Sequence, residues 1–218
     1  MPGRPVIAAA ETLPAPLPGW YGKLPGLGDF AARRLDKAMV GVWDGWLQDG
    51  LQALRQQSGW LDAYLQSPVW CFALGAGVLG PQRWLGVMMP SVDAVGRYFP
   101  LAIFFEGGVA DLLQKSELNA RMYWAWGAHA ALHALEHDLD ATGLDAHLQS
   151  SLPGPEAVVS ASVPDLDHWP QPGHSLWMSL RQDGGVLELP SEGLPRGVLF
   201  NDLWRTGSDA VASDIGAA

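Results

Sequence analysis

Apolar residues recur at Leu35, Met39, Val42, Trp43, Trp46, Leu47, Leu51 and Leu54. That stripe has the 3.6-residue spacing of an amphipathic helix with one buried face. Asp36 is placed to cap its start, and Gly59 lies just past its end. A shorter helix is expected over Trp60–Gln66, stopped by Pro68. The pattern then changes. Val69–Leu74, Trp84–Met89 and Phe99–Phe105 are short apolar runs without polar alternation. Such runs fit strands covered on both faces. Their short links favour antiparallel neighbours, because a parallel return needs a longer crossover. Ahead of the first helix, Trp20–Leu24 reads as a strand stopped by Pro25-Gly26. A second helical region is expected over Ala110–Leu139, with two helices meeting near Ser116. Later strands are expected at Ser175–Leu180, Val186–Leu189 and Gly197–Phe200. This order predicts an α/β protein, a three-layer α/β/α sandwich with a mixed, largely antiparallel central sheet.

A single domain over 19–206 suits the 218-residue length. Residues 1–18 hold five prolines and are expected to be a mobile lead-in, with 207–218 a disordered tail. Leu152–Pro155 and Pro164–Gly173 read as loops inside the domain. No secretory leader is read, because the apolar run Val6–Ala10 is too short for one. The uncharged stretch Gln66–Gln82 is broken by Pro68, three glycines and Pro81, so it does not read as a membrane span. These readings place the protein in the cytoplasm.

Net charge is −10, which disfavours a phosphate backbone and predicts a partner face of some basic character. The lone cysteine, Cys71, excludes an intrachain disulfide. Eleven tryptophans are unusual. Trp43, Trp46, Trp70 and Trp84 fall on buried stripes and runs, whereas Trp20, Trp169 and Trp204 are the expected interface anchors.

Gly75-Ala76-Gly77-Val78-Leu79-Gly80 matches a dinucleotide-binding glycine pattern, but Pro81 and a new strand follow where a helix should open. It reads as a connection between strands. Gly26-Leu27-Gly28-Asp29-Phe30-Ala31 matches a looser form, with its helix too late and Asp29 opposing a phosphate. His129, His133 and His137 share one helix face at i, i+4, i+8, without the glutamate of a zinc-protease motif. They read as a polar face, with metal chemistry as the alternative. Ser91, Asp93 and Arg97 lie on one loop between buried runs. They read as a loop held by Ser91 and Asp93 bonding backbone amides, with Arg97 paired to Asp93. A nucleophilic Ser91 is the alternative, and it would need a base from elsewhere.

The combination of Trp20-Tyr21-Gly22-Lys23-Leu24-Pro25, Gly28-Asp29-Phe30, Trp43-Asp44-x-Trp46-Leu47, Ser67-Pro68-x-Trp70-x-Phe72, Trp84-x-Gly86-Val87-x-Met89-Pro90-Ser91-Val92-Asp93 and Gly96-Arg97-Tyr98-Phe99-Pro100-Leu101 resembles the TagF (ImpM) family of type VI secretion-associated proteins. The resemblance spans Gly19 to Glu106 and continues through the long helix. It implies an α/β/α sandwich and a cytoplasmic accessory protein that represses secretion post-translationally. The implied partner is the system's forkhead-associated scaffold protein, within a kinase and phosphatase circuit acting on threonine. It implies no cofactor and no catalytic residue. Some relatives carry a fused phosphatase domain, for which this chain has no room, so no phosphatase activity is expected. The motif residues carried over are Gly22, Lys23, Gly28, Asp29, Phe30, Ser91, Asp93, Gly96, Arg97, Tyr98, Phe99 and Pro100. Gly22, Gly28 and Gly96 are expected at turns needing a small residue or positive φ. Lys23, Asp29, Asp93 and Arg97 are expected to form one polar cluster where two loops meet. If the scaffold reads phosphothreonine on this chain, only Thr12, Thr142 and Thr206 offer it.

Overall fold

The computed structural model describes residues 17–107, 120–151, 163–181 and 183–204. Most of the expected lead-in, the tail, Ser116, Thr12, Thr206 and the Leu152–Pro155 loop lie outside them. The chain enters through β1 (Gly19–Gly22), turns through Lys23–Phe30, and forms the short β2 (Ala31–Arg33). Helix α1 (Lys37–Leu54) begins where its stripe predicts, with the Asp36 carboxylate accepting from Met39 N–H. Its buried residues are Met39, Trp43, Trp46, Leu47, Leu51 and Leu54, all from that stripe. Gly59 lies beyond α1 with φ of 74° and caps the start of α2 (Trp60–Gln66).

Strands β3 (Trp70–Leu74), β4 (Trp84–Met89) and β5 (Leu101–Glu106) follow, then helices α3 (Ala120–Glu136) and α4 (Ala141–Ser150). The hairpin β6 (His174–Leu180) and β7 (Val186–Glu192) leads to α5 (Val198–Asp202). The seven strands form one sheet in the order β2-β1-β5-β4-β3-β6-β7. Every pairing among the described residues is antiparallel. The sheet is therefore antiparallel rather than mixed. Its long helical connection from β2 to β3 joins strands that are not neighbours, so it creates no parallel pair. No helix among the described residues is long and apolar enough to cross a membrane.

Successive strand residues point to opposite faces, and the apolar core divides accordingly. Cys71, Ala73, Leu85, Val87, Leu101, Ile103 and Phe105 join α3 and α4 in one cluster. Trp70, Phe72, Leu74, Met88, Ala102 and Phe104 join α1, α2 and α5 in the other. This accounts for strand runs that are apolar at every position.

Besides the short β2, where no strand is expected, two elements differ from expectation. Gly197–Phe200 is not a strand: α5 starts at Val198 with Phe200 buried, and the buried Leu203 and Trp204 follow just past its end at the same 3–4-residue spacing. Helix α4 was not anticipated, although Asp140 caps it by accepting from Thr142 and Gly143 N–H. Among the tryptophans, Trp43, Trp46 and Trp70 are buried as expected, while Trp84 is only half-buried. Trp20 and Trp204 are fully buried and cannot anchor a partner. Trp20 instead donates its indole N–H to Asp145 at 2.8 Å. Trp169 is half-buried, with the Arg83 guanidinium over its ring.

The glycines of the sheet and of α1 should respond oppositely to alanine. A Cβ at Gly86 would lie 2.2 Å from Phe72 Cζ and 2.3 Å from Ile103 O. At Gly41, on the exposed side of α1, it would meet nothing within 4 Å. Urea unfolding should show Gly86→Ala destabilised by roughly 2 kcal/mol or more, the cost of overpacking. Gly41→Ala should gain up to about 1 kcal/mol from helix propensity.

Candidate functional site

Two loops meet beside the β1–β5 pair. One is Lys23–Phe30, leaving β1. The other is Pro90–Pro100, joining β4 to β5. Their contact begins with a backbone constraint. Gly22 pairs with Leu101 at a φ of 144°, and a Cβ there would lie 2.1 Å from Pro100 O. Only glycine lets the strands approach at this point. The second loop then closes on itself. Asp93 N–H donates to Arg97 O, Gly96 N–H to Asp93 O and Phe99 N–H to Ser91 O. Gly96 takes a φ of 81° at the turn. Ala94 N–H donates to Leu27 O at 3.0 Å, which joins the two loops.

Asp93 is the centre of this arrangement. Its Oδ2 accepts from Lys23 Nζ at 2.6 Å and from Arg97 Nε at 2.7 Å. Its Oδ1 accepts from the N–H groups of Val95 and Arg97 at 3.1 and 2.9 Å. Lys23 and Asp93 are both buried, whereas the Arg97 side chain is more than half exposed. Burial alone would push the Asp93 carboxyl up. The hydrogen bonds from Lys23, Arg97 and Val95 outweigh it and hold the group well below the usual carboxylate range. Arg97 also donates through Nη2 to Gly28 O, pinning the first loop to the second.

Aromatic residues flank the ion pair. Lys23 Nζ lies 4.9 Å from the Phe30 ring centre. Phe30 packs edge-on to Phe99 at 4.8 Å and stacks at 6.0 Å on Tyr21. Tyr21 donates its hydroxyl to Asp44 on α1 at 2.5 Å, and burial with that contact raises its phenol well above the ordinary value. Behind the loops, the Tyr64 hydroxyl on α2 donates to Ser91 O at 2.9 Å and accepts from Ser91 N–H at 3.0 Å. Ser91 Oγ donates to Lys23 O at 2.8 Å. Tyr98 sits edge-on to Tyr64, and its carbonyl accepts from Arg55.

Lys23, Asp93 and Arg97 thus come together as expected, with Phe30 and the Gly28 carbonyl beside them. Asp29 does not join: its carboxylate accepts from Phe30 N–H at 2.8 Å. Gly22 and Gly96 meet the expectation of a special backbone. Gly28 does not, since its φ is not positive and a Cβ there would meet open space. Ser91 holds its loop, but its hydroxyl donates to a carbonyl instead of taking an amide hydrogen. That arrangement also argues against Ser91 as a nucleophile, because the buried hydroxyl faces a main-chain oxygen and not a base. Sequence reasoning missed Tyr64, whose place on a neighbouring helix carries no local sign of such a contact, and the pairing of Tyr21 with Asp44, 23 residues away.

The glycine patterns carry no nucleotide site. Gly75–Gly80 connects the antiparallel strands β3 and β4, with Gly77 N–H donating to Gly80 O at 2.7 Å. Gly26–Ala31 runs into β2, not into a helix. The histidines of α3 are joined by His147 of α4, whose ring stacks on His133 at 3.9 Å. Among the described residues no three metal-ligating side chains converge on one point.

Residues 19–151 match the family described as TagF N-terminal domain, type VI secretion system-associated. No curated protein matches the chain. Among solved structures, the crystal structure of PA0076 from Pseudomonas aeruginosa PAO1 is similar. It shares 29% sequence identity at a TM-score of 0.66, over 92% of this chain and 99% of that one.

Asp93→Asn should test the ion pair. It leaves Lys23 buried without its counter-ion, which in deep sites costs 3–5 kcal/mol; just beneath this surface about 2 kcal/mol is expected. A lowered carboxyl contributes stability that is fully present above the ordinary aspartate pKa of ~3.9 and is lost as pH falls below it. Melting temperature measured from pH 7 to pH 3 should fall more steeply in the native protein than in Asp93→Asn.

Proposed function

The chain belongs to the TagF family of type VI secretion system-associated proteins, and on that premise we propose that it is a cytoplasmic regulator that represses secretion by binding the system's forkhead-associated scaffold protein. The two core clusters are read as helix layers on either face of the sheet, a three-layer α/β/α sandwich that serves as a scaffold for loops. The observation that carries the docking part is the construction of the loop pair. A buried ion pair, a backbone clamp and an aromatic stack fix two loops whose outer residues face solvent. Val95 is 68% exposed and Phe30 42% exposed, with the Arg97 guanidinium between the loops. A rigid ridge with apolar tips and an arginine is the composition that anchors protein interfaces.

The ridge needs no catalytic group, and the described residues around Ser91 supply no nucleophile–base pair. Thr142 lies exposed in the first turn of α4, apart from the ridge motifs in sequence, and Thr12 and Thr206 lie outside the described residues. The reading taken here is recognition through the folded ridge, with recognition of phosphothreonine as the outcome that would replace it. The surplus of acidic residues elsewhere favours a scaffold face with basic character.

Val95→Asp changes only an exposed tip. It should leave the melting temperature unchanged and weaken scaffold binding at least tenfold in a pull-down or calorimetric titration. Over-expression of the native chain should shut secretion down, and over-expression of Val95→Asp should not. Native chain that binds no scaffold overturns the reading. Loss of binding on replacing Thr142 by valine, with Val95→Asp still binding, would move recognition to the threonine.

A further inference from the structure

Four of the six histidines gather on the outer side of α3 and α4. His129 and His133 lie on successive turns of α3, His137 just past its end, and His147 on α4. The His133 ring lies 4.1 Å from His137 and 3.9 Å from His147, centre to centre. His129 Nδ1 faces His147 Nε2 at 3.4 Å. That separation is long for a nitrogen–nitrogen hydrogen bond, where about 2.7–3.2 Å is usual for N–H donors. It equals the bite of two imidazoles on a tetrahedral cation: bonds of roughly 2.0–2.1 Å at the tetrahedral angle place the nitrogens about 3.3–3.4 Å apart.

We propose that His129 and His147 form a bidentate site for a borderline-soft divalent cation such as zinc, bridging α3 and α4. Water completes the coordination, since among the described residues no third ligand converges with these two. His129 is exposed and His147 half-buried, so a hydrated ion has access. A cation here would tie α4 to α3, whose link carries Leu139 O, the acceptor of Gly26 N–H from the first ridge loop.

The test uses untagged full-length chain in a non-chelating buffer at pH 7.5. Equilibrium dialysis against zinc chloride should give one zinc per chain, and zinc should raise the melting temperature. His129→Ala, His147→Ala and the size-conserving His147→Gln should each abolish both effects, while His137→Ala retains them. The proposal is overturned if the native chain binds no zinc. It is equally overturned if His147→Gln still binds, or if His137→Ala alone loses binding, which would place the ion on the pair His133 and His137.

Discussion

The structure around the two loops depends on one carboxylate. Asp93 is buried and accepts hydrogen bonds from a buried lysine, an arginine side chain and two backbone amides. Each partner belongs to a different piece of chain or turn. Lys23 comes from the end of β1, Val95 from the tip of the second loop, and Arg97 from its return. A buried charge is tolerated only when it is so satisfied, so the pieces must come together for any of them to be stable. The same residues complete each other in a second way. Ser91 is clamped by Tyr64 through both its main-chain groups and donates its own hydroxyl to Lys23 O. Gly22 supplies the space for this, because a side chain there would strike Pro100.

Behind the ridge, the sheet is wedged between two aromatic and aliphatic clusters. Most of the eleven tryptophans are spent on this packing, and several of their N–H groups find main-chain partners. Trp46 donates to Pro195 O at 2.6 Å, and Trp70 to Leu203 O at 2.7 Å. Through these bonds the segment around α5 is tied to α1 and β3. Large rings with a single donor suit such a role: they fill volume and also fix the partner segment in place. The tryptophan count therefore describes how the core is locked, and it does not measure how adhesive the surface is. The interface reading rests instead on Phe30, Val95 and Arg97, which the tryptophan argument had not singled out.

Much of this was legible in the sequence where a pattern repeated. The stripe from Leu35 to Leu54 and the Asp36 cap give α1, and uninterrupted apolar runs give β3, β4 and β5. Arg97 and Asp93 are four residues apart on a turn, so their pairing is local and readable. What escaped is short or remote. Strand β2 is three residues long, too short for any period. The strand expected at Gly197–Phe200 rested on a brief apolar run, whereas the deciding spacing, Phe200 to Leu203 and Trp204, extends past it. Trp20 borders a loop, which in sequence alone suggests an anchor; its neighbour in space, Asp145, lies 125 residues away. Asp29 was grouped with Asp93 by charge, but a carboxylate beside its own turn is readily used on the nearest amide, as the Phe30 N–H shows. His147 escaped because the helix that carries it went unrecognised.

On the function proposed above, the sheet and its helices serve to hold the loop ridge rigid for a scaffold partner. Hydrogen–deuterium exchange of the chain, alone and with the forkhead-associated scaffold, tests it most directly. The account predicts that binding slows exchange in peptides covering 26–31 and 93–98 and leaves α1 and the β6–β7 hairpin unchanged. Protection confined to α1, α5 or the β7 edge, with the two loops exchanging as in the free chain, would contradict it.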